Sequence, residues 1–411
     1  MSLNPKNDKS NCSASPQTQV LKPISGETPR PSLVAPLIQS TTYVQESLPA
    51  EPGHTYSRVS NPTVSELEEV LGRLENAPPA VCFSTGIAAE LALFLTLLKS
   101  GDHVLAGQAI YGGTVRLLND LLTRFGVEVS FVDASDAEKV KQAIRPNTRL
   151  VFIETPANPT LELTDIRAIV DVAHAHNAYV AVDNTFLTAV LQQPLELGAD
   201  FSVYSTTKHI EGHSAALGGA IVCRDEGLLE RLRWTRKTSG TIQTPFNAWL
   251  TRQGLKTCPL RIRQHSQNAL EFAQWLEQCR DVASVYYPGL ESNPNISLAQ
   301  RQHLGGHGGV LAFELVGGYE AAQRFLPHLK LGRLCEHVGT VETLYTHPAS
   351  MTHADVPHSQ LAQAGITPGM IRISVGLEEV AEIIADFEQA VRLMQNSNQQ
   401  VGESIRSGSL C

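Results

Sequence analysis

One lysine stands among small hydroxyl residues in the tract Ser202-Val-Tyr-Ser-Thr-Thr-Lys-His-Ile-Glu-Gly-His-Ser214. A lysine that forms a Schiff base must be held at a fixed point and kept partly neutral. Lys208 follows an apolar, strand-like run, and Ser205 and Thr207 beside it can hydrogen-bond a phosphate. That is the chemistry of a pyridoxal phosphate site. A surface lysine in a Ser/Thr-rich loop is the plain alternative, so the tract needs partners elsewhere in the chain.

Four other loops offer them. Ser84-Thr-Gly-Ile-Ala-Ala89 follows a strand-like run and opens a helix, so the N–H groups of Gly86 and Ile87 would point at an anion along the helix axis. A pyridine nitrogen stays protonated when a carboxylate at the end of a buried strand faces it. Asp183 ends Ala178-Tyr-Val-Ala-Val-Asp183, and Lys208 follows 25 residues later, one connection and one strand further on. Tyr111, in Tyr111-Gly-Gly-Thr114, can stack on a ring face, with the two glycines leaving room for the cofactor. Asn158, in Glu154-Thr-Pro-Ala-Asn-Pro-Thr160, can reach the cofactor's phenolic oxygen or a substrate carboxylate. Each loop alone also reads as an ordinary turn, cap or Pro-rich connection.

Short apolar runs must place these loops. Ala80–Phe83, His103–Ala106, Glu128–Val132, Leu150–Ile153, Tyr179–Val182, Phe201–Tyr204 and Gly219–Val222 read as strands. Helical patterns near 87–99, 113–125, 135–144, 164–175 and 225–236 fall between most of them. This alternation specifies an α/β fold with a mainly parallel central sheet covered on both faces. Such sheets put ligands beyond the carboxyl ends of their strands. A Leu- and Arg-rich helix over 245–280 leads to a smaller α/β C-terminal domain with strands at 285–287, 309–314 and 371–374 and a helix at 377–395. The expected organisation is an N-terminal arm over 1–62, disordered over 1–30, then a large domain over 63–255, a small domain over 256–395 and a flexible tail over 396–411.

Composition narrows the classes. A net charge of -9 leaves no basic field for nucleic acid or an anionic membrane, and no apolar run is long enough to span a bilayer. Neither nucleic acid nor a membrane is an expected partner. Seven scattered cysteines without a Cys-x-x-Cys pair argue for free thiols and against zinc or a disulfide framework. The histidines show no His-Glu-x-x-His, so no metal is expected. A P-loop is excluded because no Gly-x-x-x-x-Gly-Lys-Ser/Thr occurs. The polar start, Met1 to Ser15, has no apolar signal-peptide core, and the expected location is cytoplasmic.

Taken in order, these motifs resemble the Cys/Met metabolism family of pyridoxal phosphate enzymes, which includes cystathionine γ-lyase, cystathionine γ-synthase, cystathionine β-lyase and methionine γ-lyase. The match runs from about Pro36 to Ala390 and adds Tyr56-Ser-Arg-Val-Ser-Asn-Pro-Thr63, His347-Pro-Ala-Ser-Met-Thr-His353 and Ile371-Arg-Ile-Ser-Val-Gly-Leu-Glu378. The resemblance implies fold type I, aspartate aminotransferase-like, with pyridoxal 5'-phosphate as cofactor and a small-molecule amino-acid substrate. It implies Lys208 as Schiff-base lysine and proton shuttle, Asp183 as pyridinium partner and Tyr111 as stacking residue and leaving-group acid. It further implies phosphate contacts from Gly86, Ile87, Ser205 and Thr207, and Arg372 on the substrate α-carboxylate, where a planar guanidinium suits a bidentate task. Tyr56 and Arg58 would serve a neighbouring subunit, which implies a homo-oligomer, typically a tetramer built from dimers.

Departures from the family pattern fall around the substrate. Tyr204, His209 and Ala215 replace the usual histidine, tyrosine and aspartate, and Gly113 lacks the cysteine common in methionine γ-lyases. Cys335-Glu-His-Val-Gly339 aligns with Glu-Ser-Leu-Gly, so Glu336 is kept and His337 replaces the serine. Glu336 points to an amino-bearing distal group. The expected reaction is γ-elimination on an L-amino acid such as cystathionine, giving a 2-oxo acid and ammonia. The alternatives are γ-replacement, as in a cystathionine γ-synthase or O-acylhomoserine sulfhydrylase, and a specialised γ-lyase for an unusual γ-substituted amino acid. A non-catalytic scaffold is the alternative of another class.

Overall fold

The computed structural model describes residues 14–21, 33–48 and 53–407, with side chains through Asn396. Seven strands form the larger sheet: β1 (Val81–Phe83), β2 (His103–Gly107), β3 (Glu128–Val132), β4 (Thr148–Glu154), β5 (Tyr179–Asp183), β6 (Phe201–Tyr204) and β7 (Gly219–Val222). Their order is β1-β7-β6-β5-β4-β2-β3. Strands β2 to β6 run parallel to one another, and β7 is antiparallel to both β6 and β1.

Both faces of this sheet are covered, which is why its strands read as continuous apolar runs. Successive residues of β4 divide between two cores: Leu150 and Phe152 join Leu93, Phe94 and Leu229 on one side. Val151 and Ile153 join Ile166, Ile169 and Val182 on the other. The period of two along the strand thus fixes which helix lies on which face. Helix starts are fixed by side-chain caps, Thr85 for the helix Gly86–Leu97 and Asp165 for Ile166–His174.

The smaller sheet contains β8 (Val282–Tyr286), β9 (Val310–Leu315), β10 (Arg333–Leu334), β11 (Leu344–Thr346) and β12 (Met370–Ser374), in the order β10-β11-β12-β9-β8. It packs Phe313, Tyr345, Ile371 and Ile373 against Phe272, Phe325 and Phe387 of its helices.

Several expectations are corrected. Residues 1–30 are expected to be disordered, yet Pro16–Leu21 is helical and Val20 is fully buried among Val64, Leu67 and Leu71. The rest of that stretch, apart from Ala14 and Ser15, lies outside the described residues. The single helix expected over 245–280 is two, Pro245–Leu255 and Cys258–Glu277. Pro259 is the break: without an N–H it suits a first helical turn and disrupts an interior. The tail expected from 396 continues the last helix, Val380–Ser407, because lengthening a helix already anchored by packing needs no new nucleus. Among the described residues no helix is long and apolar enough to cross a membrane.

Candidate active site

Parallel neighbours β4, β5 and β6 end at the same edge, and Glu154 is in register with Asp183. The loop after β6 is pinned to the loop after β5, since Ser205 N–H donates to Thr185 Oγ1 at 2.8 Å. Within it Lys208 N–H donates to the Ser205 carbonyl, and Gly212 N–H to the Lys208 carbonyl. The lysine is therefore held at both ends. Its Nζ lies 3.2 Å from His337 Nδ1. Burial, then the charge of Arg372, lowers the amine from 10.5 to about 8, with Asp183 pulling the other way.

Asp183 is one of three buried carboxyls at this edge. Burial raises it above the ordinary carboxylate range, while bonds from Thr185 and the charge of Lys208 favour its ionised form. Glu90 is pushed to about 8 by burial and by Asp183, and accepts from Thr114 Oγ1. Glu154 is raised well above its usual value by the same two causes and accepts from Tyr111 N–H at 2.7 Å. Burial and Asp183 thus disfavour charge on both glutamates, while Lys208 and Thr185 favour the ionised form of Asp183.

A second cluster forms around the helix Gly86–Leu97. Its first N–H groups, Gly86 and Ile87, precede the Ala88 N–H, which donates to the Thr85 hydroxyl, and the Ala89 N–H, which makes the first backbone bond, to the Thr85 carbonyl. A Cβ on Gly86 would stand 2.9 Å from Ser205 Cβ, and one on Gly219 would stand 2.2 Å from the Thr85 carbonyl oxygen. Only glycine lets these loops approach so closely. Thr207 turns its hydroxyl to Gly218, accepting from its N–H at 2.9 Å and donating to its carbonyl at 3.1 Å, which leaves one lone pair. A helix N-terminus, a serine hydroxyl and a lysine within one loop cluster fit a phosphate-bearing aldehyde cofactor.

The glycines after Tyr111 do not simply make room for a cofactor. A Cβ on Gly113 would meet the Tyr111 ring at 2.4 Å, and one on Gly112 would meet the Thr352 carbonyl at 2.7 Å. They admit the tyrosine's own ring and a loop of the smaller sheet. Tyr111 is 37% exposed, and burial raises its hydroxyl above the ordinary value.

Arg372 enters from β12 of the other sheet. Its Nη1 donates to Asn158 Oδ1 at 2.8 Å, and its Nη2 to Thr346 Oγ1 at 3.0 Å and to the His337 carbonyl at 3.3 Å. Burial lowers the guanidinium to about 10, opposed by Glu154 and Tyr111. Glu336 is exposed, and its charge is felt by both Tyr111 and Arg372. Lys208, Asp183, Tyr111, Asn158, Glu336, His337 and Arg372 thus converge. Tyr56 and Arg58 interact elsewhere in this chain: Arg58 Nη1 donates to the Lys237 carbonyl at 2.9 Å and its Cζ lies 5.3 Å from the Tyr56 ring. Glu90, Thr185 and Thr346 carry site contacts that the motifs did not single out. The matching acidic ends of β4 and β5 were a readable signal for Glu154.

Comparison with known proteins shows the family. The family model described as Cys/Met metabolism PLP-dependent enzyme, PLP being pyridoxal phosphate, matches residues 17–392. The chain is 41% identical over 371 residues to an L-methionine gamma-lyase of Fusobacterium nucleatum subsp. nucleatum, covering 88% of this chain and 93% of the relative. It is 40% identical over 368 residues to a cystathionine gamma-lyase of Bacillus subtilis (strain 168), covering 90% and 96%. A cystathionine gamma synthase of Xanthomonas oryzae pv. oryzae superposes with a TM-score of 0.90 at 36% identity, covering 93% of this chain and 99% of that one. The buried lysine, the glycine-lined helix start and the sequence relationship together place the chain in the Cys/Met metabolism family of PLP-dependent enzymes.

Proposed function

We propose that the protein catalyses γ-elimination on an L-amino acid such as cystathionine, releasing the γ-substituent and giving a 2-oxo acid and ammonia. The observation that carries this reading is the convergence of a near-neutral amine, a buried carboxylate and a buried guanidinium at Lys208, Asp183 and Arg372. When bound, pyridoxal phosphate supplies an electron sink joined to the substrate's α-carbon. Lys208 would be the attachment residue; the Gly86 and Ile87 N–H groups and the Ser205 hydroxyl would hold the phosphate, joined by Thr207 once its O–H turns from the Gly218 carbonyl, and Asp183 would face the ring nitrogen. Arg372, steadied by Asn158, binds the α-carboxylate. Lys208 Nζ, half-way to the free base near pH 8, would take the proton from Cα, pass it on, and as a free base again take one from Cβ. Tyr111 keeps its hydroxyl proton because burial raises it, and gives that proton to the departing γ-group. Glu336 favours an amino-bearing distal end.

Tyr56 and Arg58 act on the phosphate of a neighbouring subunit in a homotetramer, and the enzyme works in the cytoplasm. The resemblance to a cystathionine gamma synthase supports γ-replacement as a second reading. A panel of cystathionine, homocysteine, methionine and O-acylhomoserines, with and without cysteine, separates the two by product. A 2-oxo acid plus ammonia supports elimination; a new thioether amino acid formed only with cysteine supports replacement. Turnover of none points to a γ-lyase for another γ-substituted amino acid.

A further inference from the structure

Two buried glutamates hold the turn that carries Tyr111. Tyr111 N–H donates to Glu154 Oε2 at 2.7 Å, and the Thr114 hydroxyl donates to Glu90 Oε2 at 2.7 Å. Thr114 N–H in turn donates to the Tyr111 carbonyl at 2.9 Å, so the turn is hung at both ends. Glu154 is the neighbour of Asp183 across β4 and β5. Glu90 comes from the helix Gly86–Leu97, one turn after Gly86 and on the same face, beyond the N–H groups assigned to the phosphate. Tyr111 thus rests on two carboxyls that act on the aspartate assigned to the ring nitrogen.

Glu90 is 3% exposed, and Thr114 is its carboxyl's one hydrogen-bond partner among the described residues. The titratable groups around it are Asp183 from β5, Glu154 from β4 and Tyr111, none of them a cation. Burial and then the charge of Asp183 hold Glu90 toward its neutral form, against the pull of Thr114. A neutral carboxyl is the weaker acceptor, because hydrogen bonds to an ionised group are roughly twice as strong. A cation placed beside Asp183 offsets the aspartate's repulsion and tips Glu90 toward the carboxylate. A protonated ring nitrogen is such a cation.

We propose that Glu90 is a positioning residue that couples the charge of the cofactor's ring to the Tyr111 turn: on cofactor binding Glu90 gives its proton to solvent, and the Thr114 hydroxyl then donates to a carboxylate and draws the turn in. The inference rests on the assignment of Asp183 and Tyr111 in the proposed function. One O–H bond breaks at Glu90, its electron pair stays on the carboxylate, and the proton passes to buffer. The coupling is reciprocal: a turn held in place favours the ionised Glu90, which in turn favours a protonated ring.

Glu90→Gln keeps an oxygen that accepts from Thr114 and cannot ionise. Pyridoxine 5'-phosphate, which has no aldehyde to react with Lys208, is the probe, and its 1-deaza analogue carries the same substituents on a ring without nitrogen. Each is added to cofactor-free protein at pH 7, and proton release is obtained by calorimetry in two buffers of different ionisation enthalpy. With pyridoxine 5'-phosphate, wild type should release roughly half a proton or more per site beyond Glu90→Gln. With the deaza analogue the two proteins should release the same. Backbone hydrogen exchange over residues 111–116 should slow on pyridoxine 5'-phosphate binding about tenfold more in wild type than in the variant. Equal proton release with pyridoxine 5'-phosphate, an undiminished excess with the deaza analogue, or equal slowing of exchange overturns the proposal. A wild-type protein that binds neither pyridoxine 5'-phosphate nor pyridoxal 5'-phosphate defeats the proposed function and this inference with it, whereas binding with equal proton release defeats the inference alone.

Discussion

Lowering the Lys208 amine from 10.5 to about 8 makes its free base accessible near neutral pH, and the same burial has a thermodynamic cost. A lysine with a depressed native value binds fewer protons folded than unfolded, so below about pH 8 the fold bears the penalty. The penalty fades as pH rises toward the unfolded value near 10.5. Lys208→Met, which keeps the chain length and removes the charge, should stabilise cofactor-free protein at pH 7 by up to about 3 kcal/mol, at roughly 1.4 kcal/mol per pH unit. Denaturant melts at pH 7 and pH 10 check the sign: the gain should shrink at the higher pH. Arg372 gives a second prediction. Its fork serves Asn158, Thr346 and the His337 carbonyl at once, which an ammonium cannot reproduce. Arg372→Lys should lower kcat/KM about 100-fold, chiefly through KM, in steady-state assays with the best substrate of the panel. The lysine was legible from its small hydroxyl neighbours and the arginine from the ending motif. The upward shifts of Glu90 and Glu154 were not, because burial and then the nearness of Asp183 cause them, and only the folded sheet supplies both.

At the scale of elements, the site depends on how tightly three loops can be drawn together. Gly86 lies against Ser205 and Gly219 against the Thr85 carbonyl, so each added methyl pushes on a different neighbour. Gly219→Ala meets the backbone of Thr85 and Gly86 and should destabilise the protein by about 2–3 kcal/mol in urea melts. Gly86→Ala meets a side chain and should act mainly on the phosphate end, raising the cofactor dissociation constant measured by absorbance titration. The large-sheet strands were readable because full burial makes them uninterrupted apolar runs, as in β4 and β5. β10 was not, since an exposed strand of two residues carries no period to read. The helix Pro16–Leu21 was hidden for a similar reason: one buried residue, Val20, anchors it.

For the whole molecule, catalysis needs residues from two sheets and, in the proposed assembly, from two subunits. Lys208 and Asp183 come from the larger sheet, Arg372 and His337 from the smaller one, and the Asn158–Arg372 bond of 2.8 Å crosses between them. Within the chain Arg58 donates to the Lys237 carbonyl and lies over the Tyr56 ring, and service to a neighbouring subunit is the proposed role of both. Co-expression of Lys208→Ala with Arg58→Ala tests this: each is inactive alone, whereas random dimers should recover about a quarter of wild-type activity if sites are completed in trans. No recovery would place Arg58 in its own subunit's site. The account as a whole turns on Lys208. Borohydride reduction of the purified protein followed by peptide mapping should find the cofactor's mass on the peptide containing Lys208 and on no other lysine. A cofactor mass on a different lysine, or on none, would contradict the account.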